Sequence, residues 1–236
     1  MSENSTPPPT PRAALPVARA AARLLTFRLT GDEFARLDHH HLLFGLLCTL
    51  IVGMGRRWDD AGAGWWRHAG ASSLIYIFIL ALLLWIVVLP LKPHAWTYRH
   101  VLTFVALTAP PALLYAIPVE RMCRPEVARM WNGWFLAVVA AWRVLLLGYY
   151  LNAHARLRPF AIFVCTLLPV TAIVVTLSVL NLDRAAFQTM GGFRGEPTGQ
   201  ESAYIILTLL TVLSLLLFIP LFICYIGLVV KARARS

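Results

Sequence analysis

The sequence predicts an all-α, polytopic membrane protein with about six transmembrane helices, the third and fifth broken by proline. Three observations predict it. Six apolar runs lie between residues 38 and 230, each near the roughly 17–25 residues that cross a bilayer as a helix. The 236 residues are 59% hydrophobic and 14% charged. Soluble domains carry about 45–50% apolar and about 25% charged residues, so the apolar excess here has to face lipid. Of the 21 Lys and Arg, all but Arg143 fall outside the apolar runs.

Residues 1–37 read as a cytoplasmic N-terminal tail, partly disordered. Pro7-Pro8-Pro9 favours extended, solvated chain. No apolar stretch follows at the distance a cleavable leader needs, so none is expected. Further along, Arg19 and Arg23 lie four apart among Ala and Leu. That spacing gives residues 16–29 the pattern of a basic amphipathic helix on a membrane surface.

Residues 38–236 then form a single transmembrane helical bundle. The first crossing is read at 38–54, although its continuous apolar part is only Leu42 to Met54. The second is 73–91. The third, 100–118, carries Pro110 and Pro111. Proline lacks an N–H and clashes with the preceding turn, so a helix break is expected there. The fourth is 131–151. The fifth, 159–180, carries Pro169, and the sixth, 203–230, carries Pro220 and is long enough to tilt; both prolines are expected to break their helices.

Basic residues orient the bundle. The tail, the second–third link, the fourth–fifth link and the C-terminus hold twelve Lys and Arg, against eight in the opposite loops. Both termini are therefore expected in the cytoplasm. Trp58, Trp65, Trp66, Trp131 and Trp134 gather at the opposite boundary, where indole rings settle. The abundance of Arg and Ala points to a GC-rich bacterial genome, and so to the inner (plasma) membrane. Basic charge spread over several loops suits anionic headgroups rather than nucleic acid. The four cysteines form no CxxC pair, which indicates neither a disulfide framework nor a zinc site.

The sharpest chemical feature is Arg143, set in Ala140-Ala141-Trp142-Arg143-Val144-Leu145. A charge at that depth costs at least roughly 2.5–3.5 kcal/mol on insertion scales, and such residues face the bundle interior. At 100° per residue, Asn132, Arg143 and Tyr150 fall within about 20° of one another. They form the candidate polar site. Pro110 and Pro111 should free the carbonyls of Ala106 and Leu107, and Pro169 that of Cys165, at a depth where a guanidinium could use them.

Other constellations rank lower. Asp38-His39-His40-His41 offers metal-type ligands, but consecutive helical residues point in different directions. Only Asp38 and His41, three apart, have the spacing to share an ion. His94 and His100 lie on the same side. Interfacial histidine is the simpler reading, and neither metal nor cofactor is expected. Asp59, Asp60, Glu120 and Glu126 sit beside arginines and read as solvated ion pairs. Met190-Gly191-Gly192-Phe193-Arg194-Gly195 lacks the Gly-Lys-Ser/Thr ending of a phosphate loop.

These features place a binding or transport component first, holding an anion or polar headgroup at Arg143. The alternative is a structural or assembly partner for other membrane proteins, with no ligand. A membrane enzyme acting on lipid phosphate comes last. No HExxH, GxSxG or dense carboxylate pattern is present, and no catalytic residue is assigned.

Overall fold

A computed structural model describes residues 16–55, 70–180 and 201–234. Helix is the only regular structure among the described residues, joined by short turns and without strands. Its elements are α1 (Val17–Leu25), α2 (Gly31–Phe34), α3 (His39–Gly55), α4 (Ala71–Val88), α5 (Tyr98–Leu107), α6 (Val119–Met122), α7 (Pro125–Ala153), α8 (Pro159–Val179) and α9 (Glu201–Arg233). A 3-10 turn, Leu89–Leu91, prolongs α4, and a second, Pro110–Ala116, follows α5.

Four described stretches are long and apolar enough to cross a membrane: Ala71–Leu91, Met130–Ala153, Pro159–Val179 and Thr208–Arg233. The first expected crossing is a shorter apolar helix, His39–Met54. The third is not one helix. α5 stops at Leu107, and the chain continues from Pro110 in the tighter 3-10 geometry.

The expected breaks at Pro169 and Pro220 are corrected. Pro169 lies inside an uninterrupted α8, and Pro220 inside an uninterrupted α9. One proline removes one helical hydrogen bond, yet its fixed φ near −65° is itself helical. Two consecutive prolines, as at Pro110 and Pro111, remove adjacent bonds and the turn cannot hold.

α5 is the central post. Every residue from Val101 to Leu107 is buried. α3 and α4 pack against it, the 3-10 turn Pro110–Ala116 packs between α3 and α7, and α8 lies against α7. Close approach of α3 depends on Gly45: a Cβ there would lie 2.7 Å from the carbonyl carbon of Ala106. Gly45, Thr49 and Gly53 repeat every four residues on that buried side of α3. Small residues at this spacing let backbones meet where lipid supplies no hydrophobic drive. α9 lies outermost against α8, and Tyr225 ties it to α4 by donating to the Val87 carbonyl at 2.9 Å.

The sequence segment read as tail is partly built into this core. Ala20, Ala21, Leu24 and Phe34 are buried in the same cluster as residues of α4, α5 and α7. α7 holds the segment by two side chains. Trp142 donates to the Leu25 carbonyl at 3.2 Å, and Tyr149 to that of Leu29 at 2.5 Å. Arg23 and Glu33 pair within the segment. Pro7-Pro8-Pro9 lies outside the described residues.

Candidate functional site

α7 presents one buried stripe, in which Val139, Leu146 and Tyr150 point inward. Arg143 falls on the same stripe and is half-buried. Its Nε donates to the carbonyl of Thr108 at 3.2 Å. Thr108 caps the C-terminal end of α5.

That acceptor differs from the expected Ala106, Leu107 and Cys165, for a reason of turn geometry. An α-helix bonds across four residues, and that spacing assigns the lost bonds to Ala106 and Leu107. Here the chain tightens to a 3-10 turn, with bonds across three residues. Ala106 keeps a partner, the N–H of Ala109 at 3.1 Å. The donors facing Leu107 and Thr108 would be Pro110 and Pro111, which have no N–H. Arg143 supplies one of the two missing donors. Its charge also lies at the C-terminal end of α5, where the helix dipole is negative.

Asn132 and Tyr150 share the face of Arg143 but not its depth. Along α7 they lie about 16 Å and about 10 Å away. Asn132 is half-buried toward the far end. Tyr150 is 1% exposed, in the middle of an aromatic cluster. Its ring stacks on Phe104, with centroids 4.1 Å apart, and meets Phe34 at 5.0 Å and Trp96 at 5.8 Å. Among the described residues the Tyr150 hydroxyl has no hydrogen-bond partner.

Next in the cluster comes His154, which sequence reasoning missed. It stacks on Tyr150 at 5.2 Å, meets His100 edge to face at 5.3 Å, and its Nε2 has no hydrogen-bond partner among the described residues. Burial holds its pKa down at about 4, aided by His100 and His94 and opposed by hydrogen bonds with the backbone of Gly31 and Ala95. His94 and His100 thus lie near His154. The i, i+4 spacing of Tyr150 and His154 was the available signal.

At the start of α3, Asp38 Oδ1 accepts from the backbone N–H groups of His40 at 2.9 Å and His41 at 3.3 Å. The His41 ring is 2% exposed, with Nδ1 2.7 Å from the same oxygen. One ligand atom each from Asp38, His39 and His40 can be grouped within 4.8 Å. Asp38 stands just before the helix, free of its spacing, and at the open first turn the rings of His39 and His40 swing together, 3.9 Å apart.

Asp59, Asp60 and the 190–195 loop lie outside the described residues, as do the side chains of Glu120 and Glu126. No family model, curated protein or solved structure matches the chain.

Proposed function

We propose that this chain is a bilayer-embedded binding or transport component that holds an anion or an anionic lipid headgroup at Arg143. One observation carries the reading. A guanidinium has five N–H donors, and among the described residues Arg143 spends only Nε, on Thr108. The four donors on Nη1 and Nη2 suit a phosphate-type oxyanion, which accepts two parallel hydrogen bonds. Asn132 and Tyr150 line the same face at other depths.

The bundle is read with six crossings, both termini cytoplasmic, in a bacterial inner membrane. α5 and its 3-10 continuation together reach about 30 Å, the thickness of the hydrocarbon core, which supports counting them as the third. The twelve-to-eight basic asymmetry supports the orientation.

A second reading has its own observation. The Nε–Thr108 bond makes Arg143 a cap for a broken helix, and a cap needs no ligand. Native mass spectrometry separates the two. Protein is released from phosphatidylcholine bilayers with and without phosphatidylglycerol, and in parallel titrated with inorganic phosphate. Retention of phosphatidylglycerol identifies a headgroup site, and phosphate binding a free-anion site. Either should be lost in Arg143→Leu and partly kept in Arg143→Lys. Equal retention by wild type and Arg143→Leu would leave only the cap.

A further inference from the structure

We propose that Asp38, His39 and His40 form a binding site for a divalent cation of intermediate softness, Zn2+ or Co2+, where the chain enters α3. The inference is independent of Arg143.

The donor set is two imidazoles and a carboxylate. Imidazole suits Zn2+ and its neighbours, and carboxylate completes sites left open to solvent. The three ligand atoms come within 4.8 Å of one another. The rings of His39 and His40 are 3.9 Å apart at 40°. Both histidines are exposed and Asp38 is half-buried, so an ion can enter from solvent.

The geometry follows from the helix start. Asp38 precedes α3 and folds its carboxylate back over the first turn, accepting from His40 and His41 backbone N–H groups. This brings the carboxylate alongside the two rings that open the helix. Nδ1 of His41 lies 2.7 Å from Asp38 Oδ1 and steadies the carboxylate from the buried side. A partner behind a ligand is what fixes ligand orientation in metal sites.

Two effects limit the affinity. The helix N-terminus carries about half a positive charge, which opposes a cation. Oδ1 is already engaged, leaving Oδ2 as the free donor. A micromolar site is therefore expected, not a structural one.

The test uses full-length protein without a polyhistidine tag, stripped with chelator and held in lipid nanodiscs. Isothermal titration with Zn2+ should find one ion per chain. Visible spectra of the Co2+ form should change on binding and revert on adding excess Zn2+. Asp38→Asn is the decisive variant, because Asn still caps a helix and preserves its start. It should weaken Zn2+ binding by about ten-fold or more, as should His39→Ala with His40→Ala. Zn2+ binding by Asp38→Asn equal to wild type would overturn the site, leaving two exposed imidazoles acting alone. Absence of stoichiometric binding in the wild type would overturn it as well.

Discussion

Phe104 and Tyr150 lie face to face, with ring centroids 4.1 Å apart and planes 4° from parallel. The pair joins the central post α5 to α7 on the same two helices that Arg143 and Thr108 connect. Two contacts of opposite chemistry therefore fix one interface, and each can be perturbed without the other.

Tyr150→Phe should leave the stack intact and remove a hydroxyl that has no partner. The expected change is a gain of about 1 kcal/mol, because an unsatisfied buried donor is costly. Tyr150→Ala should cost about 3–5 kcal/mol through the cavity. Thermal unfolding in detergent reads both. A clear loss in Tyr150→Phe would mean that the hydroxyl holds a bound water.

Arg143→Leu should cost about 1–3 kcal/mol by leaving the Thr108 carbonyl unpaired. Pro111→Ala restores an N–H at the position that a 3-10 turn directs toward Thr108. In that background Arg143→Leu should cost less. The coupling from a double-mutant cycle checks this, and strict additivity of the two changes would contradict the geometry.

Gly45→Ala should cost about 1–3 kcal/mol, since its methyl would press on the backbone at Ala106. Gly133→Ala meets nothing within 4 Å. It should gain up to about 1 kcal/mol from helix propensity. Melting temperatures of the two variants should move in opposite directions.

His154 makes stability depend on pH. Burial lowers its pKa from 6.5 to about 4, with His100 and His94 contributing. Between those values the unfolded chain takes up a proton that the folded chain refuses. The contribution is thus intact above about pH 6.5 and lost as pH falls toward 4, by up to about 3 kcal/mol. The measurement is the difference between wild type and His154→Gln, which isolates the contribution of this one ring. A profile unchanged by that substitution would exclude His154 as the source.

Single cysteines at Ser2 and Ser236, with Cys48, Cys123, Cys165 and Cys224 replaced, report topology. Neither should react with an impermeant maleimide in intact cells, and both should react after lysis. Reaction of either in intact cells would reverse or break the six-crossing arrangement.

The long apolar helices were legible because length and composition alone specify them. The charge of Arg143 and the missing donors of Pro110 and Pro111 are properties of the sequence, and in the structure the guanidinium donates to Thr108, between the end of α5 and those prolines. The acceptor was misplaced because the turn type after a break is set by local packing, and a 3-10 turn shifts each bond by one residue. Single prolines at 169 and 220 did not break their helices, since each removes one bond only and, in lipid, the other backbone groups find partners nowhere but in the helix. The aromatic cluster was illegible. Phe34, Trp96, Phe104 and Tyr150 come from four separate segments, and periodicity within one helix does not reveal such meetings. Burial of Ala20 and Leu24 was hidden for the same reason.

The docking of α1 and α2 orders events during synthesis. Trp142 reaches Leu25 across 117 residues, and Tyr149 reaches Leu29 across 120. At about 5–20 residues per second, the ribosome needs roughly 6–24 s to deliver those partners after the N-terminal segment has emerged. Throughout that interval the apolar side of α1, with Ala20, Ala21 and Leu24, has α3, α4 and α5 to pack on but not yet α7. The basic side chains of Arg19 and Arg23 would hold it against the bilayer surface meanwhile. Docking of this segment is then completed only after α7 has been made, more than a hundred residues later.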